Sequence, residues 1–132
     1  MEQIINFLNE CGTFYLATSD SNKPYVRPFG AVAEYEGKLY ICTNNTKKVY
    51  QQMLANPQVE ISATSSKGRW IRLEGKVEPD HRKEAKEAML TACPSLKNMY
   101  QADDSIFEVL CFTEGKAAIY SFGGAPEEFT LS

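Results

Sequence analysis

The 132 residues suit a single domain, residues 1–132, with enough buried surface for a true core, and 43% hydrophobic with 23% charged residues is ordinary globular composition. A net charge of −3 with no basic block argues against nucleic acid as a partner, and no apolar run is long enough to cross a membrane. The cysteines at 11, 42, 93 and 111 form no C-x-x-C pair and have no neighbouring histidine, which speaks against a metal site and for reduced thiols in a cytoplasmic protein without a signal peptide.

Ile4, Ile5 and Leu8 share one face of a short helix that ends near Gly12. Thr13 to Ser19 is aromatic and β-branched and reads as a strand, with Asp20-Ser21-Asn22 as its turn. A second strand is expected from Tyr25 to Tyr35, and Glu36-Gly37 turns it into a third, Leu39 to Thr43, which makes a hairpin. The next helix carries Val49, Met53 and Leu54 inward and stops at Asn56-Pro57. Val59, Ile61 and Ala63 alternate with polar residues in a fourth strand. The clearest strand follows, with Ile71, Leu73, Gly75 and Val77 on one face and Trp70, Arg72, Glu74 and Lys76 on the other. Asp80 is a candidate N-cap for a helix with Ala85, Ala88, Met89 and Ala92 at helical spacing, ended by Pro94. Ile106 to Phe112 and Ala117 to Phe122 give a last strand or strand pair, and Cys42 and Cys111 fall in apolar runs as small core residues. Strands dominate, so the pattern predicts a mainly β, closed or nearly closed antiparallel barrel with short helices over its openings.

The segment Thr43-Asn44-Asn45-Thr46-Lys47-Lys48 leaves a strand and enters a helix. Asn45 or Thr46 is the expected N-cap, which puts Lys47 and Lys48 in the first turn. A cation there opposes the helix dipole by roughly 0.3–1 kcal/mol when exposed. A bound anion removes that cost, because the free amides already attract negative charge. Hydroxyls, amides and two ammonium groups thus read as a phosphate pocket; the alternative is two solvated surface lysines. With a net negative chain, the phosphate belongs to a small molecule.

Few residues offer chemistry of their own. His81, the only histidine, lies at the start of a polar helix and reads as exposed rather than catalytic. The carboxylates form no clear acid–base pair, and there is no G-x-G-x-x-G or P-loop. A phosphate pocket without acid, base, metal or nucleophile points to a cofactor that supplies the reaction. Trp70 should face the polar side of its strand, where an indole can cover a ring or a partner subunit; the alternative is a tryptophan tucked under a loop.

Arg27-Pro28-Phe29-Gly30, Thr43 at the end of the hairpin, the Thr46-Lys47-Lys48 helix start, Asn56-Pro57 and Arg69-Trp70-Ile71-Arg72-Leu73-Glu74-Gly75 occur in an order that resembles the pyridoxamine 5′-phosphate oxidase-like superfamily of FMN-binding split barrels. The chain looks closer to its small general-stress and nitroimidazole-reductase-like members than to the true oxidases. The resemblance implies a six-stranded antiparallel split barrel that forms a homodimer with FMN at the subunit interface. It implies that Arg27 and Lys47 or Lys48 meet the FMN phosphate beside Asn45 and Thr46, that Thr43 lies near the flavin ring, and that the backbone at Pro28 and Phe29 runs along it. Trp70 stands where true oxidases carry a ring-contacting glutamine from the partner. The C-terminus, Gly123 to Ser132, lacks the arginine and tryptophan with which true oxidases hold pyridoxal phosphate. The expectation is therefore an FMN-dependent oxidoreductase that passes electrons or hydride to a small acceptor, rather than a vitamin B6 oxidase. A non-enzymatic protein that binds or senses flavin, deazaflavin or haem is the first rival. A ligand-free dimeric module is the second.

Overall fold

Two turns of the same kind shape the first half of the sheet. Strand β1 (Phe14–Asp20) turns at Ser21-Asn22 into β2 (Lys23–Phe29), with φ of 51° and 67° at the turn residues. Strand β3 (Val32–Tyr35) turns at Glu36-Gly37, with φ of 51° and 78°, into β4 (Lys38–Asn44). Two-residue turns with both φ positive match the twist of the flanking strands, so each closes an antiparallel hairpin. The computed structural model describes residues 1–132.

Helix α1 (Glu2–Cys11) precedes these hairpins, and α2 (Lys48–Ala55) follows them. Then come β5 (Gln58–Thr64), β6 (Trp70–Asp80), α3 (Lys83–Ala92), a 3₁₀ turn (Pro94–Asn98), β7 (Phe107–Tyr120) and β8 (Glu127–Leu131). The strands run β2-β1-β5-β6-β7-β4-β3, all antiparallel. Strand β7 holds the structure together. It pairs with β6 along one edge; on the other it pairs with β4 through Phe107–Cys111 and with β8 through Gly115–Ile119. No ladder joins β2 to β3, so the barrel is split at that seam.

The mainly β split barrel is as expected, with eight strands where six were expected. Tyr25 to Tyr35 is two strands, because β2 pairs only with β1 while β3 pairs only with β4, and the chain changes partner at Gly30-Ala31. Ile106 to Phe122 contains one long strand, and β8 adds an edge that the sequence pattern did not reveal. Closure of the barrel requires a close crossing of β6 and β7 at Gly75 and Gly115. A Cβ on Gly75 would collide with the Glu114 carbonyl, and one on Gly115 with that of Glu74. The register shift between Lys76 and Val77 lies next to this crossing, as bulges do where strands bend.

The interior is filled by Leu16, Ile41, Ile61, Ile71, Leu73, Leu110 and Phe112, none more than 1% exposed. Ile4, Phe7 and Leu8 of α1 close one side of this core at i, i+3, i+4 spacing. Ile5, placed on that face from sequence, is only partly buried beside it. A smaller core lies on the other face of β4 and β7, where Phe107, Val109 and Cys111 meet Ala85, Met89 and Leu90 of α3. Residues Phe107–Phe112 are thus covered on both faces, which explains their nearly unbroken apolar run. Leu54, expected inward on α2, is 48% exposed; the buried stripe is Val49, Tyr50, Gln52 and Met53. Ala92 is likewise exposed. No helix is long and apolar enough to cross a membrane.

Candidate functional site

The seam between β2 and β3 opens into a cavity of about 350 Å³. Arg27, Pro28, Phe29, Gly30 and Ala31 form one wall, Cys42 and Thr43 at the end of β4 form the floor with Lys47 and Val49, and Cys93, Ser95, Leu96, Met99 and Tyr100 form the far wall. Of the residues expected at a site, Arg27, Pro28, Phe29, Thr43 and Lys47 meet here. Asn45, Thr46 and Lys48 lie beside the cavity but not in its wall, and Trp70 lies elsewhere.

Arg27 faces the barrel side of β2, opposite Leu16. Its Nη1 donates to the Leu16 carbonyl at 3.2 Å and to Thr18 Oγ1 at 2.8 Å, and its Nη2 donates to Gln52 Oε1 at 2.6 Å. The Thr18 hydroxyl donates to the same Gln52 oxygen at 2.6 Å. These neighbours are all neutral, so they orient the guanidinium without cancelling its charge. Arg69, Arg72 and Arg82 each pair with a carboxylate, whereas Arg27 pairs with none. Burial lowers its pKa from the ordinary arginine range, as expected for a cation that has lost water without gaining an anion. Of the five guanidinium donors, Nε–H and one Nη2–H remain without a partner.

The turn into α2 differs in detail from its expected form. The helix starts at Lys48, and Lys47 occupies the N-cap with extended backbone, φ −88° and ψ 148°. Neither Asn45 nor Thr46 caps it. Asn44 organises the turn instead, its Oδ1 accepting from the Thr46 amide at 2.8 Å and from Thr46 Oγ1 at 2.7 Å. Asn45 is drawn away from the helix, because its Nδ2 donates to the Ser105 carbonyl and to Glu108 Oε2, both at 2.8 Å. The N-terminus of α2 therefore has no side-chain cap and no acid in its first turn, while neither Lys47 nor Lys48 pairs with a carboxylate. An uncapped helix end with two free ammonium groups is electrostatically disposed to an anion.

The other expected cap also shifts. Helix α3 begins at Lys83, after Arg82, because Asp80 ends β6 and binds sideways to the Arg82 guanidinium and to the Tyr40 hydroxyl at 2.7 Å. The Arg82 contact, foremost, holds the Asp80 carboxyl well below the usual range. Trp70 points to the outer face, as expected, and stacks on Tyr120 with ring centroids 5.4 Å apart. Phe122 tilts against the same indole at 5.2 Å and is 88% exposed. The outer face of β1 and β2 also carries Tyr15, Val26 and Pro28, so apolar groups reach solvent at both sides of this sheet.

Sequence reasoning missed Thr18 and Gln52, which orient Arg27, and the far wall of the cavity from Cys93 to Tyr100. It also missed Glu108, which holds Asn45. Gln52 and Glu108 left a signal, since each is a polar residue inside an otherwise buried stripe. Cys42 and Cys93 both line the cavity; burial pushes the Cys42 thiol up to about 12 and raises that of Cys93.

The family model for pyridoxamine 5′-phosphate oxidase matches residues 1–111. The chain belongs to that family. It is similar, at 60% identity and a TM-score of 0.97, to a NimC/NimA family protein from Clostridium acetobutylicum, over 99% of this chain and 92% of that one. A heme binding protein from Mycobacterium smegmatis has the same fold at 18% identity and a TM-score of 0.73, over 92% of this chain and 53% of its own. So does a pyridoxamine 5′-phosphate oxidase-related, FMN binding protein from Nostoc punctiforme, at 12% identity and a TM-score of 0.60, over 98% of this chain and 92% of its own. No curated protein matches the sequence.

Proposed function

We propose that the protein is a cytoplasmic FMN-binding flavoprotein, one domain per subunit, that works as a homodimer and passes electrons or hydride to a small acceptor. The observation that carries this reading is the charge arrangement at the seam. Arg27 and Lys47 line a cavity in a family named for a phosphorylated substrate, and neither has a carboxylate partner. The donor set fits a phosphorylated flavin. Arg27 and the lysines suit the phosphate, while Phe29, Val49, Leu96 and Tyr100 offer apolar surface to a flat ring. When bound, FMN supplies the electron-accepting and electron-donating chemistry. The residues of the chain bind it, orient it and keep water from the ring.

The outer face supports the dimer reading. Trp70, Tyr120 and Phe122 on one side and Tyr15, Val26 and Pro28 on the other suit a second copy of the same sheet, with the Arg72–Glu60 and Lys116–Glu74 pairs between them. Phe29, Leu96 and Tyr100 in the cavity wall favour a planar, uncharged acceptor over a vitamin B6 phosphate. The absorption spectrum of the purified protein, before and after adding FMN, tests the cofactor. Flavin bands support the reading; a Soret band, or a colourless protein that ignores FMN, defeats it. Light scattering tests the dimer. Oxidation of NADH or NADPH with quinones and nitro compounds, run beside pyridoxamine phosphate turnover, tests the acceptor class.

A further inference from the structure

Glu108 is a carboxylate inside the apolar run of β7, only 8% exposed. It stands opposite Thr43 in the β4–β7 ladder, so the two side chains share a face. No lysine or arginine pairs with it; the one cationic candidate nearby is His81, whose Nδ1 is 3.5 Å from Oε1. That oxygen is buried and accepts no hydrogen bond. A buried carboxylate without a strong cation is costly to a fold.

What Glu108 holds is the turn into α2. Its Oε2 accepts from Asn45 Nδ2 at 2.8 Å, and an ionised acceptor makes that bond about twice as strong as a neutral one would be. Asn45 is then fixed from several sides. Its side chain also donates to the Ser105 carbonyl, its amide donates to the Ile106 carbonyl at 2.9 Å, and its carbonyl accepts from Gln51 Nε2. Two residues later comes Lys47, in the cavity wall. Tyr50, in the first turn of α2, feels the same group: burial first, then the Glu108 charge, raises the pKa of its hydroxyl.

We infer that Glu108 is a positioning residue for anion binding. Through Asn45 it fixes the turn that presents Lys47 and the first amides of α2 to the seam cavity, and so sets the share of cofactor affinity owed to the phosphate. The inference rests on the FMN reading above and gives Glu108 no contact with the ligand.

Titrations of FMN and of riboflavin into wild type, Glu108→Leu, Glu108→Gln and Asn45→Ala test it. Glu108→Leu should weaken FMN by about tenfold, the scale of one positioning hydrogen bond, and riboflavin by no more than about twofold. Glu108→Gln should keep most of the affinity, because its amide oxygen still accepts from Asn45. Asn45→Ala should reproduce the Glu108→Leu loss, and the double variant should add little, since both act along one path. A second readout needs no ligand. Hydrogen exchange at the Thr46 and Lys47 amides, which bond to Asn44, should quicken in Glu108→Leu and in Asn45→Ala. If Glu108→Leu does not fold, Asn45→Ala decides by the same two measurements. A wild type that prefers riboflavin, or binds neither flavin, overturns the FMN reading and this inference with it. A wild type that prefers FMN, beside variants that keep the wild-type ratio or weaken both flavins equally, overturns the inference alone.

Discussion

Replacing Arg27 separates ligand binding from fold stability, because the structure gives it different work in each. In the fold it donates three hydrogen bonds, to Leu16, Thr18 and Gln52. Removing it leaves Gln52 Oε1 still satisfied by the Thr18 hydroxyl, so the lost stability should be about 1–3 kcal/mol, less than three separate charged hydrogen bonds would sum to. In binding it offers the unused Nε–H and Nη2–H to a dianion. A hydrogen bond to a charged group is worth about 1.5–3 kcal/mol, so Arg27→Ala should raise the FMN dissociation constant roughly 10- to 150-fold. Arg27→Lys should recover only part of this, because one ammonium cannot reproduce a planar fork. Riboflavin binding should hardly change in either variant. Flavin fluorescence titration into apoprotein gives the constants, and thermal unfolding gives the stability. An unchanged FMN constant in Arg27→Ala, or an equal loss for riboflavin, would show that the guanidinium serves the fold and not a phosphate. The double change Lys47→Ala/Lys48→Ala should give a loss of similar size, again confined to FMN.

Gly75→Ala should destabilise the protein by about 1–3 kcal/mol, because a Cβ there meets the Glu114 backbone where β6 and β7 cross; an unchanged melting temperature would contradict that close approach. The Asp80 carboxyl is held below its ordinary pKa of about 3.9 when folded, so its stabilisation is complete above that pH and is lost as pH falls through the lower folded value. Urea midpoints at pH 6 and pH 2.5 should therefore fall less for Asp80→Asn than for wild type, and equal falls would refute the assignment. With its thiol pushed up to about 12, Cys42 should resist iodoacetamide at pH 8 in the native protein, although it lines the cavity, and react once it unfolds; fast native labelling would contradict the raised pKa.

The parts of the fold that depend on local chemistry were legible, and those that depend on partner choice were not. Alternation through Ile71, Leu73, Gly75 and Val77 marked the inner face of β6, and Ser21-Asn22 and Glu36-Gly37 marked the hairpins. The break at Gly30-Ala31 left no local mark, because it arises when β2 and β3 take different neighbours. The N-cap was misplaced for a related reason. Asn45 is a good cap by type, but Glu108, sixty-three residues on, competes for its side chain and wins. A charge-assisted bond to a buried carboxylate outweighs a neutral bond to a helix amide.

That competition also keeps the N-terminus of α2 open to an anion. Were Asn45 or Thr46 to cap α2, a side-chain oxygen would occupy the amides that an anion needs. Because Glu108 takes Asn45 and Asn44 takes Thr46, those amides stay free of side chains, and Lys47 moves from the first turn to the cavity wall. At β2 the same logic holds. Thr18 and Gln52 give Arg27 neutral acceptors where a carboxylate would have closed the site. Polar residues inside buried stripes, Gln52 at the Val49–Met53 face and Glu108 within Phe107–Phe112, are therefore the sequence signals that lead to the site. Each costs the core something, and each has the geometry to keep a cation or an amide available at the seam.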